Sequence, residues 1–135
     1  MTADELNSLL KNHDLGDDFF ERNLLLDTEF SSLSRADFES MRIYANNKMA
    51  WYWTDQDKHY LLADCNRFHF MWLGHGQEWC TKHDIGNPAI GRAYGLWVGQ
   101  PHMWAWAVVN NVLIFVNWGK EEQPLKYSGK GSVAV

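Results

Sequence analysis

The stretch Pro101 to Gly119, PHMWAWAVVNNVLIFVNWG, restricts the fold more than any other part of the chain. Two runs of aromatic and β-branched residues flank Asn110-Asn111. A two-residue connection whose central positions need positive φ favours Asn, so the segment reads as a β-hairpin. Counting outward from the turn sets Val109 opposite Val112, Ala107 opposite Ile114, Trp106 opposite Phe115, Ala105 opposite Val116 and Trp104 opposite Asn117. Side chains alternate between faces along a strand, so two unlike faces follow. Met103, Ala105, Ala107, Val109, Val112, Ile114, Val116 and Trp118 share a face that reads as core. His102, Trp104, Trp106, Val108, Leu113, Phe115 and Asn117 share the other, on which His102 and Asn117 are diagonal neighbours within side-chain reach.

The rest of the chain is placed around this hairpin. Thr2 with Glu5 forms a capping box ahead of Leu6, Leu9 and Leu10, which predicts a short helix. Asp17-Asp18 predicts the cap of a second, presenting Phe20 and Leu24. Ser34 precedes Arg35 to Ala45, where Phe38, Met41 and Ala45 recur at helical spacing. After Asn46-Asn47 the period changes. Ala50 to Thr54, His59 to Ala63 and Arg67 to Leu73 alternate as three strands of a meander, with turns at Asp55 to Lys58 and at Asp64-Cys65-Asn66. Residues 74–100, rich in Gly, read as a long ordered loop. Leu96 to Val98 and Ser132 to Val135 complete the expected strands, the latter at an edge. The expected class is α+β: a single domain over 1–135 with a helical layer at 1–45. A mostly antiparallel sheet of about five or six strands spans 49–135, with three short N-terminal helices on one face.

Charge narrows the partners. Residues 1–48 hold ten Asp or Glu against five Lys or Arg, while residues 49–135 hold seven of each. No basic stripe is present, which argues against nucleic acid held through its phosphates. No apolar run approaches the roughly 18 residues needed to cross a bilayer, and no signal peptide is recognisable, so the expectation is a soluble cytoplasmic protein with reduced thiols.

The expected function is a small binding or inhibitory module that recognises a ligand or protein partner through the aromatic hairpin face. A cysteine hydrolase and a zinc-binding domain are the alternatives, so three kinds of site are open to such a chain. Eight Trp exceed what a core of this size requires. Trp79, Arg92, Trp97, Trp104, Trp106 and Phe115 are candidates to wall a pocket for a small molecule or a partner's side chain, which would make the chain a binding or inhibitory module. His75, Cys80 and His83, with His69 or Asp84 beside them, offer imidazole and thiolate ligands of the type zinc takes, although His-x4-Cys-x2-His fits no standard finger. The glycines match neither a phosphate loop nor a dinucleotide fingerprint, and no cofactor is expected.

Cys80 in GQEWCTKH, His102 in PHMWAWAV and Asn117 in FVNW suggest the third kind of site. Their order resembles that of papain-like cysteine hydrolases, including the transglutaminase-like and cell-wall peptidase branches, over about forty residues. The resemblance implies Cys80 as nucleophile, His102 as general base, Asn117 as the group that orients the imidazole, and Gln77 beside the oxyanion. In that group the cysteine begins a long helix packed on the sheet, whereas the chain after Cys80 soon meets Gly86-Asn87-Pro88. The segment Trp79 to Thr81 followed by Tyr94-Gly95 is also similar to part of some phage-encoded proteins.

Overall fold

In the computed structural model, which describes residues 1–11, 22–24, 29–62, 64–97, 100–122 and 132–134, the hairpin forms in the expected register. Its pairs run from Val109↔Val112 out to Ala105↔Val116, and Asn110 and Asn111 adopt φ of 49° and 63°. The chain order is α1 (Ala3–Lys11), β1 (Arg22–Leu24), α2 (Arg35–Lys48), a 3-10 segment (Ala50–Asp55), α3 (Gln56–Leu62), α4 (Cys65–Lys82), β2 (Ile90–Trp97), β3 (Gln100–Val109), β4 (Val112–Asn117), β5 (Lys120–Glu121) and β6 (Ser132–Ala134). The strands join in one sheet of order β1-β6-β2-β3-β4-β5. Its centre is antiparallel, and among the described strand pairs β1·β6 is parallel, so the α+β expectation holds.

Helix α2 forms where its sequence says it should. The Ser34 side chain caps it by accepting from the Asp37 amide at 3.0 Å, and Phe38, Met41 and Ala45 are buried along one face.

The expected meander over residues 50–73 is instead helical. Its aromatic alternation mimics a strand, but Phe68, Trp72, Gly76, Trp79 and Cys80 bury one stripe of α4 at three- and four-residue steps. Asp64 caps that helix, its carboxylate accepting from the Arg67 amide at 3.4 Å. Gly76 lets α4 approach α2, since a Cβ there would stand 3.3 Å from the Met41 sulfur. The expected loop at 74–100 is therefore the end of α4, a turn and strand β2. A structureless span of that length was itself a sign of missed elements.

The helices do not share one face of the sheet. Phe38, Met41, Met49, Tyr52, Phe68, Trp72 and Trp79 pack with Ala105, Ala107, Val109, Ile114 and Val116, so α2 and α4 cover the small-residue face. On the other face Leu6, Leu10 and Phe30 pack with Trp104, Trp106, Val108, Leu113 and Phe115. The aromatic face is thus a second core layer under α1. Fully burying each large ring contributes on the order of 4 kcal/mol before entropy is charged against it. Most of the expected second helix, from Asp17 onward, lies outside the described residues, but Arg22–Leu24 within it is strand, paired with Ser132–Ala134. That C-terminal strand also pairs with β2 and so lies inside the sheet, not at its edge. No described helix is long and apolar enough to cross a membrane.

Candidate active site

His102 lies near the start of β3 and Asn117 ends β4, and their side chains meet at 2.7 Å between Nε2 and Oδ1. On its other side, Asn117 donates from Nδ2 to the Glu122 carboxylate at 3.3 Å. A carboxylate only accepts, so it orients the amide with Oδ1 toward the imidazole. Nε2 of His102 must then carry the proton, which leaves Nδ1 as the basic nitrogen. His102 → Asn117 → Glu122 is a directed chain of hydrogen bonds ending on a negative charge.

A second histidine supports the first. His69, one turn into α4, is fully buried and donates from Nδ1 to the Cys65 carbonyl at 2.8 Å. Its Nε2 accepts the Trp118 amide at 3.0 Å. The ring must be neutral to do both. Burial holds its pKa down to about 4, the bond to Cys65 opposes that fall, and the neighbouring His102 adds to it. The two imidazoles stand with centroids 6.0 Å apart and planes nearly perpendicular at 87°.

The backbone after Asn117 is tightly held. Trp118 and Gly119 take φ of 52° and 80°. The Gly119 carbonyl accepts from Asn46 Nδ2 at 3.0 Å and from Arg42 Nη1 at 3.2 Å, while Asn46 Oδ1 accepts the Trp72 indole at 2.8 Å. A Cβ on residue 119 would lie 2.2 Å from Asn46 Oδ1, so only glycine fits.

The two cysteines occupy opposite ends of α4. Cys65 is its first residue, partly exposed, and its carbonyl is the one His69 holds. Tyr52 packs close by. Its hydroxyl is buried without a hydrogen-bond partner among the described residues. Its pKa is raised first by burial and then by the charges of Tyr60, Asp64 and Cys65.

Cys80 is in the last turn of α4, fully buried, with Sγ 3.8 Å from the Met41 sulfur. Burial, and secondarily Asp37, pushes its thiol up to about 11. At 1.5 Å per residue it lies about 16 Å along the helix from His69, the residue that stands beside His102. The structure thus joins His102 to Asn117 and sets Cys80 apart from them, in an apolar core. Sequence reading missed Cys65 by assigning Asp64-Cys65-Asn66 to a turn between strands. The available signal was Asp64 as an N-cap, followed by apolar residues at helical spacing.

The aromatic candidates whose side chains are described lie in the core. Trp104, Trp106 and Phe115 are fully buried, and the Trp106 indole donates to the Arg92 carbonyl at 3.0 Å. Trp79 is buried and stacks on His83 at 4.0 Å. The Arg92 guanidinium sits 3.7 Å over the Phe70 ring, partly desolvated, which lowers its pKa. The Trp97 side chain lies outside the described residues. Gln77 is exposed on α4. His75, Cys80 and His83 do not assemble: no three potential ligands converge on a metal position among the described residues.

An open cleft of about 780 Å3 adjoins the site instead, between the 3-10 segment and the turn from β4 to β5. Trp53, Gln56, Asn117, Trp118, Lys120 and Glu122 line it together with Arg42, Asn46 and Ala50. Comparison with protein-family models, curated proteins and solved structures found no match for this chain.

Proposed function

We propose that the chain is a cysteine hydrolase or transferase of papain-like type in which Cys65, not Cys80, is the nucleophile. His102 acts as general base and Asn117 orients it. The observation that carries this reading is the bond from His102 Nε2 to Asn117 Oδ1, which leaves Nδ1 as the basic nitrogen of a ring 6.0 Å from that of His69, the residue bonded to the Cys65 carbonyl. The resemblance to papain-like enzymes asks for a cysteine that begins a long helix packed on the sheet. Cys65 begins α4, which packs on β3, and Cys80 does not meet that requirement. His69 ties the pieces together by holding the Cys65 carbonyl with its ring next to His102.

In the reaction this supports, His102 Nδ1 takes the thiol proton and the sulfur attacks a substrate carbonyl carbon. The C=O electron pair moves to oxygen, where the positive N-terminal end of the α4 dipole can stabilise it. When the oxyanion collapses, the bond to the leaving amine or alkoxide breaks and the departing group takes the proton from His102. Water or an acceptor amine then attacks the thioester and frees the thiol. Asn117 and Glu122 keep the imidazole in the productive tautomer throughout.

Alkylation with iodoacetamide, followed by peptide mass spectrometry, tests the assignment. Cys65 should label in the native protein while Cys80 stays unlabelled, and the Cys65 rate should fall at least about tenfold in His102→Ala. Equal Cys65 rates in the wild type and His102→Ala would overturn the reading.

A further inference from the structure

The cleft beside Asn117 has a composition that selects among ligands. Its aromatic walls are Trp53, which is 44% exposed, and the half-buried Trp118, with ring centroids 6.0 Å apart at 70°. Two rings set at an angle make an apolar corner that suits a ligand with apolar faces. Apart from Ala50 the remaining walls carry hydrogen-bonding groups, so a purely apolar ligand would leave them unpaired.

Charge decides the rest. Arg42 is committed elsewhere: Nη2 and Nε pair with Glu39 at 2.9 and 3.3 Å, and Nη1 donates to the Gly119 carbonyl. Lys120 and Glu122 are both exposed and oppose each other two residues apart on the rim. The lining therefore offers no net charge to an anion or a cation. A nucleotide or phosphopeptide would find no uncommitted cluster of cations to receive its phosphate.

We infer that this cleft binds a neutral carbohydrate, a short oligosaccharide whose pyranose C–H faces lie against Trp53 and Trp118 while its hydroxyls meet Gln56, Asn117 and Glu122. Its volume of about 780 Å3 is in the range of small-ligand sites. Asn117 lines the cleft with the same side chain that holds His102, so an occupied cleft places a glycan, or a glycan-linked substrate, next to the candidate nucleophile's machinery. The inference rests on the cleft and not on the thiol chemistry.

The test is NMR observation of the Trp53 and Trp118 indole N–H signals in the full chain. The probes are cellotriose, chitotriose, maltotriose and mannotriose, with ATP and inorganic phosphate for comparison. At least one trisaccharide should move both signals saturably, with the same midpoint at about 50 and about 500 mM NaCl, because an uncharged ligand is not screened. Trp53→Ala, a change at an exposed position, should abolish the effect on Trp118, and Gln56→Ala should weaken binding about tenfold through a lost hydrogen bond. If no trisaccharide moves the indoles, or if only ATP or phosphate does so in a salt-dependent way, the inference falls. The shifts should persist in Cys65→Ser, so failure of the cysteine reading and failure of the carbohydrate reading appear in different measurements.

Discussion

The two ends of α4 carry the same side chain in opposite circumstances. At the N-terminal end Cys65 is partly exposed, and its backbone carbonyl accepts from His69 one turn on. At the C-terminal end Cys80 is sealed against Met41, with its thiol pushed up to about 11. A thiolate is the reactive form, and burial in apolar surroundings suppresses it. The two thiols thus differ in burial by position along one helix, and a cysteine's neighbours in sequence say little about which is sealed.

The largest expected effect concerns the buried polar end. His69 is neutral in the folded protein, with a pKa of about 4 against the usual 6.5. The unfolded chain binds the extra proton more readily between those values. Stability should therefore be fully present above about pH 6.5, decline as pH falls through 4, and lose on the order of 3 kcal/mol in all. Urea denaturation across pH 3.5 to 7.5 measures this. His69→Gln, which retains an acceptor for the Trp118 amide, should flatten the profile; an unchanged slope would remove His69 from its assigned role.

A smaller effect separates the cysteines directly. Cys80→Ser places a hydroxyl in an apolar core and should destabilise by about 1–3 kcal/mol while leaving Cys65 alkylation intact. Cys65→Ser should change stability by less than about 0.5 kcal/mol and eliminate labelling and any hydrolytic turnover. If both variants behaved alike in denaturation and labelling, the contrast between the helix ends would be wrong. The smallest effect belongs to the cap. Asp64→Ala removes the acceptor for the Arg67 amide and should cost about 1 kcal/mol, read as a shift in the urea midpoint. It should also slow alkylation at Cys65 through fraying of that first turn, with Cys80 unaffected.

What could be read from the chain alone divides along similar lines. The hairpin was legible down to its register because Asn110-Asn111 fixes the turn and alternation then fixes the faces. The His102 and Asn117 contact followed from that register with no further assumption. Helix α2 was legible through Ser34 and its apolar spacing. Helix α4 was not, because Arg67 to Leu73 mixes β-favouring aromatics with a spacing that fits both periods, and Gly74 and Gly76 lower its helix propensity. Packing of Phe68, Trp72 and Trp79 against α2 and the sheet overrides that propensity. Misreading α4 hid the place of Cys65 at a helix N-terminus. The aromatic hairpin face was correctly grouped, but its covering by α1 was not legible, since nothing in Leu6, Leu10 or Phe30 says which face they will cover. The cleft was illegible because it joins residues 42–56 to residues 117–122, which only the fold brings together.

The turn at Trp118-Gly119 carries a last consequence. Its amide is held by His69 of α4, its carbonyl by Arg42 and Asn46 of α2, and Asn46 is in turn fixed by Trp72. Gly119 contributes an empty volume into which Asn46 fits. Positions 42, 46, 69, 72 and 119 are therefore coupled: a substitution at one disturbs a partner of the others, so their effects on stability should not simply add.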